Sequence, residues 1–355
     1  MKANNQIFSN NSYDNNTNST VIFRVHPMNP ADAVQVVALM HACYGNSYCY
    51  KPFYDPANLI QANEKGDLKS VVATTNTGEV IGHMALMRTD DPHLIEPVIA
   101  MVKPTFRNMG ILTKLAEYLY VEKESELKEF TGIYILPVTK HIFSQKQVYH
   151  HGFKDCGLWL CYSPNVQFKE ITTDSIQRLT LVSTYKYITK PKEITIYSPQ
   201  QHKDIIIKLF RNIGVTKISN LVPKDHYKEY VKMETTINLT INKSLGQAKI
   251  KILEYGHNIV SKIRTTVSKL CSQNLSVIHL YLSLNDPVTY HATPEFEKMG
   301  FFFAGIMPGT ACKDTLILQY LNHTKIDYSK ILLANDTARE LLAYIVEKRK
   351  IRPLL

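Results

Sequence analysis

The chain has 355 residues, more than a single hydrophobic core usually organises, so two domains of ordinary size are expected. Its 45% hydrophobic and 20% charged content is that of a globular protein, and no apolar run reaches the length of a membrane span, which excludes spanning helices and argues against a membrane partner. The formal charge of +10 points to an anionic partner, yet residues 21–165 are close to neutral. With no RNP-like, zinc-finger or polybasic run, the excess beyond them reads as a solvated basic surface and not as a nucleic-acid interface.

Residues 1–20, MKANNQIFSNNSYDNNTNST, are rich in asparagine and serine, lack an apolar stretch and fail as a signal peptide, so a disordered tail is expected. Next, IFRVHPM reads as a short strand. NPADAVQVVALMHACYG reads as a helix, with Asn29 as its cap, Pro30 at its first position and apolar residues at helical spacing. CYGNSYCYKPFYDP then brings Tyr44, Tyr48, Tyr50, Phe53 and Tyr54 together, as ordinary aromatic packing or as the lining of a pocket. LKSVVATTNTGEVIGHMALMR is a hairpin about a Thr-Gly turn, and EPVIAMVKP is a third strand carrying Glu96.

That strand runs into VKPTFRNMGIL, residues 102–112, and then into a helix with Ile111, Leu112, Leu115 and Leu119 at three- and four-residue spacing. A buried strand, GIYILPV, a short helix within TKHIFSQKQVYHHGF stopped by Gly152, and a strand near GLWLCY complete a first domain over residues 21–165. The order describes a mixed, mostly antiparallel sheet with helices on both faces, an α/β layered fold.

Residues 166–195 read as a connector with strand character. A second domain, residues 196–325, repeats the order: a helix from SPQQHKDIIIKLFRNIG, the hairpin TTINLTINKSLGQAKIKILEYG, the helix HNIVSKIRTTVSKLCSQ, the strand SVIHLYLSL, a helix at TPEFEKMG and two strands. YHHGFKDCGLWLCYSP and FEKMGFFFAGIMPG share a helix, a Gly-Phe stop and a strand, which indicates an internal duplication. Residues 326–355 form a helical C-terminal segment containing DTARELLAYIVEKRK. The six cysteines are scattered, with no CxxC and no clustering with histidine, which fits a reducing cytoplasm and no metal site.

The chemistry concentrates at residues 102–112. A strand that turns directly into a helix presents the first N–H groups of that helix, which have no intrahelical acceptor and lie at the positive end of its dipole. Gly110 lets an anion approach the backbone and Arg107 adds a fixed positive charge. Arg-x-x-Gly alone is a weak signal; the preceding strand, the Val-x-Pro lead-in and the following helix strengthen it.

On these residues the chain resembles the GNAT superfamily of acyl-CoA-dependent N-acyltransferases, over roughly residues 21–165, and more closely a bacterial group of two-module GNAT proteins. VKPTFRNMGIL is similar to the family's V-x-P-x-x-R-x-x-G-[IV] segment, with Leu112 where many members have a small residue. The resemblance implies acetyl-CoA as co-substrate, with its pyrophosphate on Arg107, Asn108, Met109, Gly110, Ile111 and Leu112, and an oxyanion held by strand amides near Met101 and Val102. It implies Glu96 as general base for the acceptor amine.

HIFSQKQVYHHGF is similar to the family's second coenzyme segment, with His141 and Ser144 in coenzyme-facing places. Val148 occupies the place of the acidic tyrosine, and Tyr149, one step off, is the candidate general acid. Tyr44, Tyr48, Tyr50 and Tyr54 correspond in position to the wall of the acceptor pocket. The second module has Leu253 and Gly256 where Arg107 and Gly110 stand, with Glu254 adjacent, and so implies a degenerate GNAT unit that completes a cleft or docks a protein.

The function implied is acetyl transfer from acetyl-CoA to an amine, whether small molecule or protein, by direct attack. The alternative is a catalytically inactive GNAT-like sensor of acyl-CoA or an interaction module. The localisation expected is cytoplasmic, with export into another cell left open.

Overall fold

The computed structural model describes residues 6–11, 20–48, 50–122, 124–164, 177–224 and 233–350. The chain divides into two compact units, the described residues through Ile133 and those from Tyr134 onward. Both are mixed α/β, with mostly antiparallel strands.

The first unit contains β1 (Gln6–Asn11), β2 (Thr20–Pro27), α1 (Ala33–Tyr44), α2 (Pro56–Glu64), β3 (Leu68–Thr75), β4 (Val80–Arg88), β5 (Leu94–Val102), α3 (Ile111–Glu117) and the start of β6 (Gly132–Ile135). Strands β1 to β5 form an antiparallel meander, and β6 joins β5 in parallel. Helix α1 follows a short 3-10 turn begun by Pro30, where the Asn29 N–H donates to Asp32 Oδ2 at 2.8 Å. It buries Ala33, Val36, Val37, Met40 and Cys43, a three- and four-residue spacing that presents one stripe to the sheet.

Val72 packs in the α1 cluster. Its neighbour Ala73 points the other way, beside Gly82 and the α3 residues Ile111 and Leu115. Helices therefore cover both faces, as the period-two alternation of strand side chains requires.

The second unit contains the end of β6, α4 (Phe143–His150), β7 (Lys154–Ser163), β8 (Leu179–Tyr187), β9 (Ile194–Ile196), α5 (Lys203–Asn212), β10 (Ile218–Asn220), β11 (Thr236–Asn242), β12 (Gln247–Glu254), α6 (Ile259–Ser272), β13 (Val277–Ser283), α7 (Pro287–Lys298), β14 (Phe302–Thr310), β15 (Lys313–Leu321) and α8 (Asp336–Lys350). Strands β13, β15 and β14 lie in that order, with β15 antiparallel to both neighbours. Strands β7 and β8 pair antiparallel. Strand β7 meets β14 at Gly157 opposite Gly305.

Four features differ from the sequence reading. Residues 6–11, expected in a disordered tail, pair with β2 as β1. Within the expected connector at residues 166–195, Leu179–Tyr187 is a full strand, because LTLVSTY offers buried β-branched and aromatic positions to β7. Residues 134–165, assigned by sequence to the first domain, group with the second unit. The helix expected at TPEFEKMG starts at Pro287, where the Asp286 carboxylate accepts the Val288 N–H at 2.8 Å, and Pro294 lies inside it. Asp-Pro was the overlooked start signal.

Candidate acyl-donor and acceptor site

Strand β5 is irregular where the site is expected. His83 pairs with Met101 and Ala85 with Val98, so Met84 stands opposite two residues, Ile99 and Ala100. This is a β-bulge, and Ile99 takes φ 53° to make it. Three side chains satisfy the displaced backbone. The Ile99 N–H donates to the Tyr48 hydroxyl at 2.8 Å, the Ala100 carbonyl accepts from the Tyr44 hydroxyl at 2.9 Å, and His83 Nδ1 lies 2.9 Å from the Ile99 carbonyl. Burial holds His83 down to about 4, so it is neutral and donates through Nδ1.

Beyond the bulge the ladder is regular again. The Lys103 N–H donates to the Ile81 carbonyl at 2.8 Å, which makes Ile81 and Lys103 a hydrogen-bonded pair. By antiparallel alternation His83 and Met101 are the next such pair, and the backbone groups of Val102 face away from β4. The Val102 carbonyl takes the Cys43 thiol at 3.4 Å, and its N–H lies on the same outer edge. This corrects the expectation of amides at both Met101 and Val102: Met101 turns its backbone to β4 and buries its side chain with α1.

The outer edge of β5 is paired to β6 only at Leu94 and Ile95, opposite Gly132 and Ile133. From Glu96 onward it has no strand partner among the described residues. Glu96 is half-buried, stands opposite Met87 and precedes the bulge by three residues.

After Val102 a short 3-10 turn, Pro104–Phe106, leads through Arg107 to Gly110, the residue before α3. Asn108 and Gly110 both adopt left-handed backbone, with φ 63° and 68°. With Arg107 extended between the 3-10 turn and Asn108, the chain changes direction sharply before α3. Arg107 and Asn108 are exposed, Met109, Gly110 and Leu112 half-buried, and Ile111 buried. Ile111 anchors the turn: a Cβ on Gly82, opposite Val102, would lie 2.7 Å from Ile111 Cγ2. Only glycine at 82 lets the head of α3 sit this close to β4.

The aromatic segment forms a chain of rings: Tyr44 to Tyr48 at 5.0 Å, Tyr48 to Tyr50 at 6.0 Å and Tyr50 to Phe53 at 5.9 Å. The Tyr54 hydroxyl accepts the Tyr48 N–H at 3.2 Å, and its ring lies 4.8 Å from His41. All five pack against the α1 core while remaining partly exposed, as the packing reading expects.

His141, Ser144 and Tyr149 belong to the second unit, whereas residues 96–112, with which sequence had grouped them, belong to the first. His141 and Ser144 are half-buried, and burial together with Lys140 lowers the His141 pKa. Buried Gln145 donates to the carbonyls of Val138, His141 and Leu332 and accepts the Ala334 N–H at 2.9 Å, strapping residues 332–334 across the start of α4. Val148 is buried, and the Tyr149 hydroxyl donates to Asp155 Oδ1 at 2.8 Å. Burial and the Asp155 carboxylate raise the Tyr149 pKa, and burial raises that of Asp155.

The corresponding turn of the second unit is closed by its own chain. A Cβ on Gly256 would lie 2.1 Å from the Thr235 nitrogen, and the Thr235 N–H donates to Asn258 Oδ1 at 2.8 Å. Residues 233–235 thus occupy the approach to the head of α6.

The residues that sequence missed are Cys43, Gly82, His83 and the bulge at Ile99. Among the described residues no group of three or more His, Cys, Asp or Glu could hold a metal ion, and no helix is long and apolar enough to cross a membrane.

No family model and no curated protein matches the chain. Solved structures do. A GNAT-family acetyltransferase from Staphylococcus aureus is 15% identical, covers 47% of this chain and 99% of its own, and has a TM-score of 0.36. The ribosomal-protein-S18-alanine N-acetyltransferase from Escherichia coli is 13% identical over 48% of this chain and 96% of its own, with a TM-score of 0.38. A ribosomal-protein-alanine N-acetyltransferase from Brucella melitensis is 18% identical over 46% of this chain and 98% of its own, with a TM-score of 0.37.

Proposed function

We propose that this chain is a GNAT-type N-acetyltransferase that uses acetyl-CoA and transfers the acetyl group to an amine. The observation that carries the reading is one continuous piece of backbone: a bulged β5 whose outer edge from Glu96 onward has no strand partner among the described residues, leading through two left-handed residues to the head of α3. An extended acyl-thioester can lie along such an edge while its pyrophosphate enters the turn. The turn fits that group, since Gly110 brings no Cβ and Arg107 leaves an exposed cation beside it.

Bound acetyl-CoA would supply an activated acyl carbon. The chain's own part is to place and polarise. The Val102 N–H, on the outer edge, is the donor for the acyl oxygen. Glu96, three residues before the bulge, accepts the proton of the incoming ammonium directly or through water. The partly exposed rings of Tyr44, Tyr48, Tyr50 and Tyr54 wall the acceptor. The Tyr149 hydroxyl is committed to Asp155 within the second unit.

That commitment of Tyr149, with Val148 buried beside it, favours one competing reading, a protein that binds acyl-CoA without turnover. Release of coenzyme A thiol on mixing acetyl-CoA with a panel of polyamines, aminoglycosides and peptide amines separates the two. Amine-dependent release is expected; saturable acetyl-CoA binding with no release from any amine would establish the competitor.

A further inference from the structure

Strand β11 is the edge of the second unit's sheet, with β12 as its one strand neighbour among the described residues. Edge strands are ordinarily guarded by lysine, proline, a bulge in mid-strand or a covering segment. The β11 sequence, TINLTIN, has no charge and no proline. Its register is regular from Ile237 to Asn242, the irregularity lying at its start between Thr236 and Ile237. Six of its seven residues are exposed, Leu239 to 40% and Ile241 to 37%. Alternate N–H and C=O groups along it face away from β12.

The strand also reads alike in both directions. About Leu239, Ile237 mirrors Ile241, Asn238 mirrors Thr240 and Thr236 mirrors Asn242. Antiparallel pairing of two such strands therefore sets Ile against Ile and Leu against Leu on one face, and Asn against Thr on the other. No like charges face each other. The same register carries the exposed Lys243 of one copy toward the exposed Glu234 of the other.

We infer that β11 pairs with β11 of a second copy of this chain, antiparallel, about a two-fold axis through Leu239. The interface is isologous and closes at two copies. It rests on the edge alone and is independent of the acyl-transfer reading.

Light scattering after size exclusion on the full chain tests it, together with Leu239→Lys and Leu239→Cys. The wild type is expected at twice the chain mass, and Leu239→Lys at the single-chain mass with an unchanged circular-dichroism spectrum. Because opposed residues in an antiparallel pair bring their Cβ atoms within about 4.5–5.5 Å, copper-phenanthroline should oxidise Leu239→Cys to a disulfide-linked dimer. The wild type, with its native cysteines, and Ile237→Cys should remain uncrosslinked. A wild type of single-chain mass at every concentration, including one whose edge takes up another protein's extended peptide, would overturn the inference. So would a Leu239→Lys protein of double mass or a Leu239→Cys protein that does not crosslink.

Discussion

Ile99 is a β-branched residue at φ 53°, a conformation it enters only when its surroundings over-determine it. Tyr48, Tyr44 and His83 supply that determination by bonding the backbone at residues 99 and 100. Tyr48→Phe leaves the Ile99 N–H without its acceptor, and a buried unpaired donor costs about 1–3 kcal/mol. Denaturant unfolding of the first unit should register that loss; an unchanged midpoint would show that the bulge does not depend on Tyr48.

His83 gives this unit a pH signature. It is neutral in the folded chain down to about 4, whereas an unfolded histidine takes its proton near 6.5. Between those values the unfolded state binds more protons, so stability is full above 6.5 and declines as pH falls toward 4, by up to ~3 kcal/mol. Asn in its place keeps a donor for the Ile99 carbonyl without titrating. Thermal midpoints of wild type and His83→Asn should therefore converge on acidification from pH 7 to 5, and a constant gap would remove His83 from the account.

At the scale of elements, the hairpin β3–β4, helix α1 and the turn into α3 were legible, because periodicity, the Asn29-Pro30 start and the Val-x-Pro-x-x-Arg-x-x-Gly spacing are local signals. The bulge was not: nothing in EPVIAMVKP distinguishes Ile99 from its neighbours, and its conformation is imposed by hydroxyls 51 and 56 residues away. Gly82 was equally silent, reading as one small residue in a strand until Ile111 is placed against it. Its role yields a prediction. Gly82→Val must push Ile111 and Leu115 away, tilt the head of α3 and disturb the turn, so acetyl-CoA affinity should fall at least tenfold, about 1.4 kcal/mol. Binding at wild-type strength would mean that α3 is not held by this contact. Helix α4 was legible as a helix but not in its contacts, since the strap from Leu332 and Ala334 to Gln145 spans 187 and 189 residues.

For the molecule as a whole, GFKDCG and GFFFAG share a backbone pattern within the second unit. Gly152 and Gly300 both end a helix with positive φ, 83° and 100°. Five residues on, Gly157 and Gly305 face each other in the sheet. A Cβ on Gly305 would lie 2.3 Å from Gly157 Cα, and its φ of 137° disfavours any side chain. Gly305→Ala should therefore lower the stability of the second unit by several kcal/mol, the range of severe backbone mutations; a neutral result would mean that β7 and β14 need not approach so closely. The two turns differ: residues 102–112 pass through left-handed backbone at Asn108 and Gly110, whereas Thr235 lies against Gly256.

On the proposed function, that difference implies a single donor site per chain. Titration calorimetry with acetyl-CoA measures it, using the wild type alongside Arg107→Glu and Gly110→Trp. The account predicts saturable binding by the wild type with one molecule per chain, and no binding by either variant while each keeps the second unit's melting transition. Undiminished affinity in both variants, or two molecules bound per wild-type chain, would contradict it.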